Sequence, residues 1–230
     1  MQTVENKVIV YDDVCPLCNA YTGCFLHLGW LKHRTGFAEA SPELLSRIDL
    51  DRARHEIPLH DTATGETVYG LDALFLILGG RFPLLRPLFR NRLFRAALRQ
   101  LYQIITYNRR VIAGSGSPAS GFDCAPDVNL FYRWLYIGLA VAGGTVLLAG
   151  MDEPTGWSQV PMGALLTLHS GMLAVGLAAE KKLDFAGHWA TMFLLSGLLV
   201  GILPAQPWAL AAVAVLVAWM WGKRWRLMLD

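Results

Sequence analysis

Val8-Ile9-Val10-Tyr11-Asp12-Asp13-Val14-Cys15-Pro16-Leu17-Cys18 is the stretch on which the fold turns. The β-branched and aromatic run 8–11 reads as a buried strand. Pro16 suits the first position of a helix, where its missing N–H would have no partner anyway. Cys15 then falls at the helix N-cap and Cys18 one turn in, on the same side. The positive end of the helix favours a thiolate at Cys15, so its pKa should fall from about 8.5 towards neutrality or below. So placed, Cys15 attacks a disulfide and Cys18 resolves the mixed disulfide that forms. Zinc is the competing reading. A closed site takes four ligands, and the other candidates, Cys24, Cys124, His27, His33, His55 and His60, are irregularly spaced. Cys24 lies half a revolution round the helix from Cys15, at about 100° per residue. No metal and no cofactor beyond the redox-active cysteine pair is expected.

The composition divides the chain. Of its 230 residues 54% are hydrophobic, more than an ordinary soluble protein carries. Up to about residue 128 charges, turns and apolar runs are mixed; beyond it long apolar stretches dominate. The net charge of +2 gives no argument for nucleic acid as a partner. The N-terminus has no apolar h-region, so no cleavable signal peptide is expected. Four stretches, 131–150, 160–179, 186–203 and 208–222, approach the ~20 apolar residues that a spanning helix needs. Trp134, Tyr136, Trp157, Trp189, Trp208, Trp219, Trp221 and Trp225 gather near their ends, as interfacial belts do. Basic residues mark alternate connections: Arg109, Arg110 and Arg133 before the first stretch, Lys181 and Lys182 in the second loop, and Lys223, Arg224 and Arg226 in the tail. The loops at 151–156 and 204–207 carry none. The positive-inside rule puts both termini in the cytoplasm. There a stable structural disulfide is unexpected but a transient one is allowed.

Further elements follow in the first half. Residues 16–32 place Leu17, Tyr21, Phe25, Leu28 and Leu31 at helical spacing. A second short strand is expected at 36–40. Ser41-Pro42-Glu43 reads as a capped helix start. Residues 57–61 and 66–69 flank the turn-rich Thr62-Ala63-Thr64-Gly65 as a hairpin, and a helix follows from Gly70 to Leu78. Strand, helix, strand, hairpin, helix is the thioredoxin-like order. The expected architecture is an α/β thioredoxin-like domain (1–128) followed by an all-α four-helix transmembrane bundle (129–230). The arginine-rich segment 81–110 interleaves apolar residues with Arg86, Arg90, Arg92, Arg95 and Arg99. It suits a helix covering the sheet with solvated arginines, or a surface lying against anionic lipid.

On these residues the chain resembles the DCC-type thiol-disulfide oxidoreductases. The matches are Tyr11-Asp12-Asp13-Val14-Cys15-Pro16-Leu17-Cys18-Asn19, His60-Asp61, the Gly65 turn, Val68-Tyr69-Gly70-Leu71-Asp72-Ala73 and Tyr107-Asn108-Arg109-Arg110; Cys124 falls where many members carry a cysteine. The resemblance covers roughly residues 6–126. Asp13 departs from it, standing where the family has glycine. If that position has positive φ, Asp is among the few residues that tolerate it; a second carboxylate there would also raise the Cys15 pKa. Pro58 occupies the place of the proline that faces the cysteines in thioredoxin-like folds, in cis there, although a trans proline opening a strand is equally compatible with the order. Asp12 is a loop cap, the preferred reading, or it joins Asp13 in relaying a proton to Cys18. Cys24 is expected to be a buried small apolar residue. Cys124 is expected to be a free structural thiol, with exchange as the alternative.

The membrane half supplies no obvious chemistry. No cysteine follows Cys124, so relays of the kind that couple disulfides to quinones have no residues here. His169 and His188 would lie roughly 12 Å apart in depth at 1.5 Å per residue, too far to ligate one haem. His169 is expected to pair with Thr167, Ser170 or a neighbouring helix. The reading is therefore a membrane-anchored thiol-disulfide oxidoreductase of the bacterial inner membrane. Its candidate site residues are Cys15, Cys18, Asp12 and Pro58. Its partners would be the bilayer and protein thiols or disulfides near it, or a small thiol. The alternative is a membrane scaffold or transport accessory whose thioredoxin-like domain only binds partners.

Overall fold

The computed structural model describes residues 5–116, 118, 122–149, 159–176, 181–203 and 207–229. The chain separates into two units, Met1–Val128 and Asn129–Asp230.

In the first unit β1 (Lys7–Tyr11) is the second strand of a four-stranded sheet ordered β2-β1-β3-β4. It runs parallel to β2 (His33–Gly36), with Val8 opposite His33 and Tyr11 opposite Gly36. It runs antiparallel to β3 (Pro58–Asp61), which pairs in turn with β4 (Thr67–Tyr69). The mixed sheet and its flanking helices form a thioredoxin-like arrangement. β1 is central because it must be: Ile9 and Val10 point to opposite faces and neither is exposed. Ile9 joins Leu31, Ile57, Leu59, Ala73 and Ile77 in one core, and Val10 joins Phe37, Ile48, Ala53, Tyr69 and Cys124 in the other.

α1 (Pro16–His27) stops earlier than its sequence spacing suggests, because Gly29 turns the chain with φ 68°. The second strand is 33–36 rather than 36–40. Gly36 lies under the loop that carries Asp13, where a Cβ would come within 2.9 Å of Asp13 Cβ, and the chain turns away beyond it. α2 (Pro42–Leu45) starts at Ser41, whose hydroxyl accepts the Leu44 N–H. The short α3 (Leu50–Ala53), capped by Asp49, carries no signal in the apolar spacing. The hairpin turns through Gly65 at φ 78°, with the Asp61 carboxylate accepting the Ala63 and Thr64 N–H groups. α4 (Gly70–Arg81) follows directly.

The arginine-rich segment is broken rather than continuous: a 3-10 turn at Pro83–Leu85, α5 (Arg86–Arg90), then α6 (Arg92–Ala113) with Asn91 as N-cap and Gly114 at φ 67° as its stop. The α6 face that packs inward holds Thr106, Asn108 and Val111. Tyr102, also on α6, accepts the Ile57 N–H at 3.1 Å through its hydroxyl. The Arg109 side chain, further along α6, is 12% exposed and pairs with Asp12.

The second unit has four helices among the described residues: α7 (Leu130–Ala149), α8 (Gln159–Gly176), α9 (Lys182–Ile202) and α10 (Pro207–Leu229). Their shared core includes Leu148, Leu165, Met172, Met192, Phe193, Val200, Val213 and Val217. Two of the four, α7 and α9, are long and apolar enough to cross a membrane. α10 runs through Lys223-Arg224-Trp225, which the hydropathy pattern assigns to a tail. His169 pairs across helices, its Nε2 2.9 Å from Ser196 Oγ on α9. Trp157 and the loop at 151–156 lie outside the described residues.

Candidate active site

The strand-to-helix turn after β1 places the cysteines. Cys15 is the N-cap of α1, with φ −89° and ψ 109°, and its sulfur accepts the Cys18 N–H at 3.5 Å. The Cys15 N–H in turn donates to the Asp12 carbonyl at 3.2 Å, which closes the turn. Cys18 approaches Cys15 to 3.3 Å, and both are reduced and buried. One turn on, Thr22 donates its hydroxyl to the Cys18 carbonyl at 2.7 Å and fixes that side of the helix.

The two thiols are electrostatically unequal. The Cys15 thiol is lowered to about 7, first by the hydrogen bond from the Cys18 thiol, then by the Cys18 N–H and by Arg109; burial and Asp12 oppose this. Cys18 is driven far above the ordinary range, because its proton is held by Cys15 and its site is desolvated. At neutral pH Cys15 therefore holds the larger share of thiolate, and Cys18 keeps its proton. Of the two neighbouring carboxylates only Asp12 bears on Cys15. Asp13 is exposed, and no described residue other than glycine has positive φ, so Asp13 is not a glycine substitute held in a left-handed turn.

Asp12 caps the loop and also pairs with Arg109. Its carboxylate takes a hydrogen bond from the Val14 backbone and lies 3.1 Å from Arg109 Nη2, with little of either side chain exposed. Burial raises the Asp12 pKa, and the guanidinium only partly offsets this. A buried carboxylate with a raised pKa gives and takes a proton nearer neutrality than a surface one does. In the sequence Arg109 stands in Tyr107-Asn108-Arg109-Arg110 and among the basic residues before the first apolar stretch, with no place at the cysteines. The signal that would have found it is its helical spacing from Tyr102 and Thr106, which puts all three on one face. It also donates to the Cys124 carbonyl. That contact fixes the segment after residue 121 beside the cysteine turn.

These groups border one cavity of about 350 Å³. Cys18, Asp12, Arg109 and Cys124 meet there with Tyr21, Phe25, Phe37, Pro58 and Tyr102. Pro58 opens β3 and is buried on the cavity wall. The Ile57–Pro58 bond is trans, since no described peptide bond is cis. Cys124 is 3% exposed, and burial raises its thiol well above the ordinary range, so it stays protonated. Cys24 is exposed rather than buried: it lies on the outer side of α1, away from the sheet. Among the described residues no group of three or more His, Cys, Asp or Glu is placed to hold a metal.

The lowered Cys15 pKa sets a pH profile. Alkylation of Cys15 by iodoacetamide should rise with pH through about 7 and level off above it, because only the thiolate reacts. Cys18 should stay unlabelled across the same range. Peptide mass spectrometry of protein quenched at each pH checks this; a Cys15 profile still rising at pH 9 would show an ordinary thiol.

Residues 9–115 match the family model of the DCC1-like thiol-disulfide oxidoreductases. No curated protein and no solved structure matches the chain.

Proposed function

We propose that the part of this chain matching the DCC1-like thiol-disulfide oxidoreductase family carries out dithiol–disulfide exchange through Cys15 and Cys18, held at a membrane by the second unit. The Cys15 thiolate attacks a substrate disulfide, forming a mixed disulfide and releasing one substrate thiol. Cys18 then loses its proton, attacks Cys15 Sγ and releases the second thiol. Two electrons pass to the substrate and the protein keeps the Cys15–Cys18 disulfide. Asp12 is the proton acceptor for Cys18, and Pro58 forms the wall against which the substrate lies. The observation that carries this reading is the asymmetric thiol pair at the N-terminus of α1, one lowered to about 7 and its neighbour raised.

Membrane attachment rests on the second unit. Phe131, Trp134, Leu139 and Val146 on α7 and Val215 and Trp219 on α10 are all more than half exposed, an apolar surface that water disfavours and lipid suits. With four spans and the basic ends inside, the thiol domain would work in the cytoplasm on protein or small-molecule thiols near the membrane. Cys15 is fully covered in this state, which also suits a domain that binds partners without exchanging electrons.

A redox titration separates the two readings. The full chain is equilibrated in glutathione or dithiothreitol buffers and scored by alkylation at Cys15 and Cys18. A reversible two-electron step is expected; near about −270 mV it marks a reductase and near about −120 mV an oxidant. Absence of any Cys15–Cys18 disulfide across that range would leave the partner-binding reading.

A further inference from the structure

The second unit buries an arginine that the described residues only partly satisfy. Arg133, one turn into α7, is 5% exposed. Its Nη2 meets Asp184 Oδ1 at 3.1 Å, and that carboxylate is 38% exposed. Its Nε and Nη1 are buried and have no hydrogen-bond partner among the described residues. A guanidinium can only donate and does not lose its charge at physiological pH. Leaving its N–H groups dry and unpaired costs several kcal/mol, more than one partly solvated ion pair returns.

The place where this happens is the start of a helix. Asp184 is in the first turn of α9, a helix of 21 residues whose N-cap, Lys181, makes no side-chain capping bond. The first N–H groups of α9 therefore face the same region as the unpaired guanidinium, and Lys181 and Lys182 are exposed beside them. Among the described residues Asp184 is the acid that pairs with Arg133. Arg224 of α10 is 4% exposed and donates from Nη1 to His188 Nδ1 at 3.0 Å, which requires a neutral imidazole. Tyr136, bonded to Thr191 at 2.7 Å, stands within electrostatic reach of both arginines.

We infer that the N-terminus of α9, together with Arg133, binds a phosphate-type oxyanion, supplied by a lipid headgroup or by free phosphate. The backbone N–H groups cradle the oxygens and the unpaired Nη1 of Arg133, beside the Nη2 that Asp184 holds, donates to them. Asp184 orients the guanidinium and competes with the anion for it. The inference rests on the second unit alone and is independent of the thiol chemistry.

The test uses the full chain in dodecyl maltoside, with unfolding followed by tryptophan fluorescence. Inorganic phosphate is titrated against chloride at constant ionic strength, and phosphatidylglycerol in mixed micelles against dioleoylglycerol. Saturable stabilisation by both, or by one alone, supports the site and tells which source it takes. Arg133→Gln should weaken that binding by roughly tenfold or more, since a charge-assisted contact is lost. Asp184→Asn should tighten it, since the competing carboxylate is gone. The second variant decides the matter even if the first fails to fold. A merely structural ion pair makes the opposite prediction: both variants lower stability alike, with no dependence on the anion. That result, no anion-specific shift, or a shift that survives Arg133→Gln overturns the inference.

Discussion

Cys15→Ser abolishes disulfide exchange, and Cys18→Ser traps it halfway. The Cys15 hydroxyl replacement has no thiolate to offer and cannot form a mixed disulfide. Turnover with a dithionitrobenzoate-type or protein disulfide should therefore fall to background, a loss of several orders of magnitude rather than a few-fold. In Cys18→Ser the nucleophile remains but loses the thiol that donates to it, the first cause of its lowered pKa. Its titration should move up from about 7, and the mixed disulfide should accumulate because nothing resolves it. Intact-mass analysis after one turnover reads both results. A Cys15→Ser protein that retains exchange would move the nucleophile elsewhere, and the exposed Cys24 would be the first place to look.

Arg109→Leu gives the largest expected stability change in the first unit. The wild-type guanidinium faces a nearly buried carboxylate and ties the Cys124 carbonyl to α6. Removing one partner of a buried pair costs about 3–5 kcal/mol, because the remaining charge is uncompensated. The pH dependence follows from Asp12, whose pKa already lies above its ordinary value through burial and would rise further without Arg109. A raised folded-state carboxyl pKa means that the fold holds the proton more tightly than the unfolded chain does. The associated stability is full below the unfolded pKa, about 3.9, and is lost as pH rises through the folded value. The deficit of Arg109→Leu is thus small near pH 4 and largest above neutrality. Hydrogen exchange at residues 8–11, read by mass spectrometry at two pH values, measures it. Adding Asp12→Asn should recover part of the loss, since no charge is then stranded. A pH-independent deficit would mean that Arg109 acts through packing alone.

The position of the cysteine turn, the hairpin and the helix starts at Pro16, Pro42 and Gly70 were all legible because each depends on local chemistry. A proline that lacks an N–H, a serine that caps and a glycine that takes positive φ act within four residues of themselves. The two apolar faces of β1 were legible for the same reason, since alternation along one strand needs no knowledge of its neighbours. The same logic fails at the second strand. Its limits were set by Gly36 passing under Asp13, a contact between residues from different parts of the chain. It fails again at α6, where spacing along the helix does not say that Arg109 turns inward to a carboxylate on the loop after β1.

In the second unit apolar length marked the helices, but hydropathy counts residues and is blind to pairing. A neighbouring helix was one expected partner for His169, but that Ser196 fills that place, and that Asp184 and Arg224 meet Arg133 and His188, came only from the packing of the helices. By itself the sequence determined where the chain would form a strand, cap a helix and set two cysteines one turn apart. Only the tertiary structure decided which charges are buried together, and so that Cys18, Asp12 and Cys124 are raised. Desolvation and Coulomb interaction depend on distance through space, and distance along the chain does not encode it.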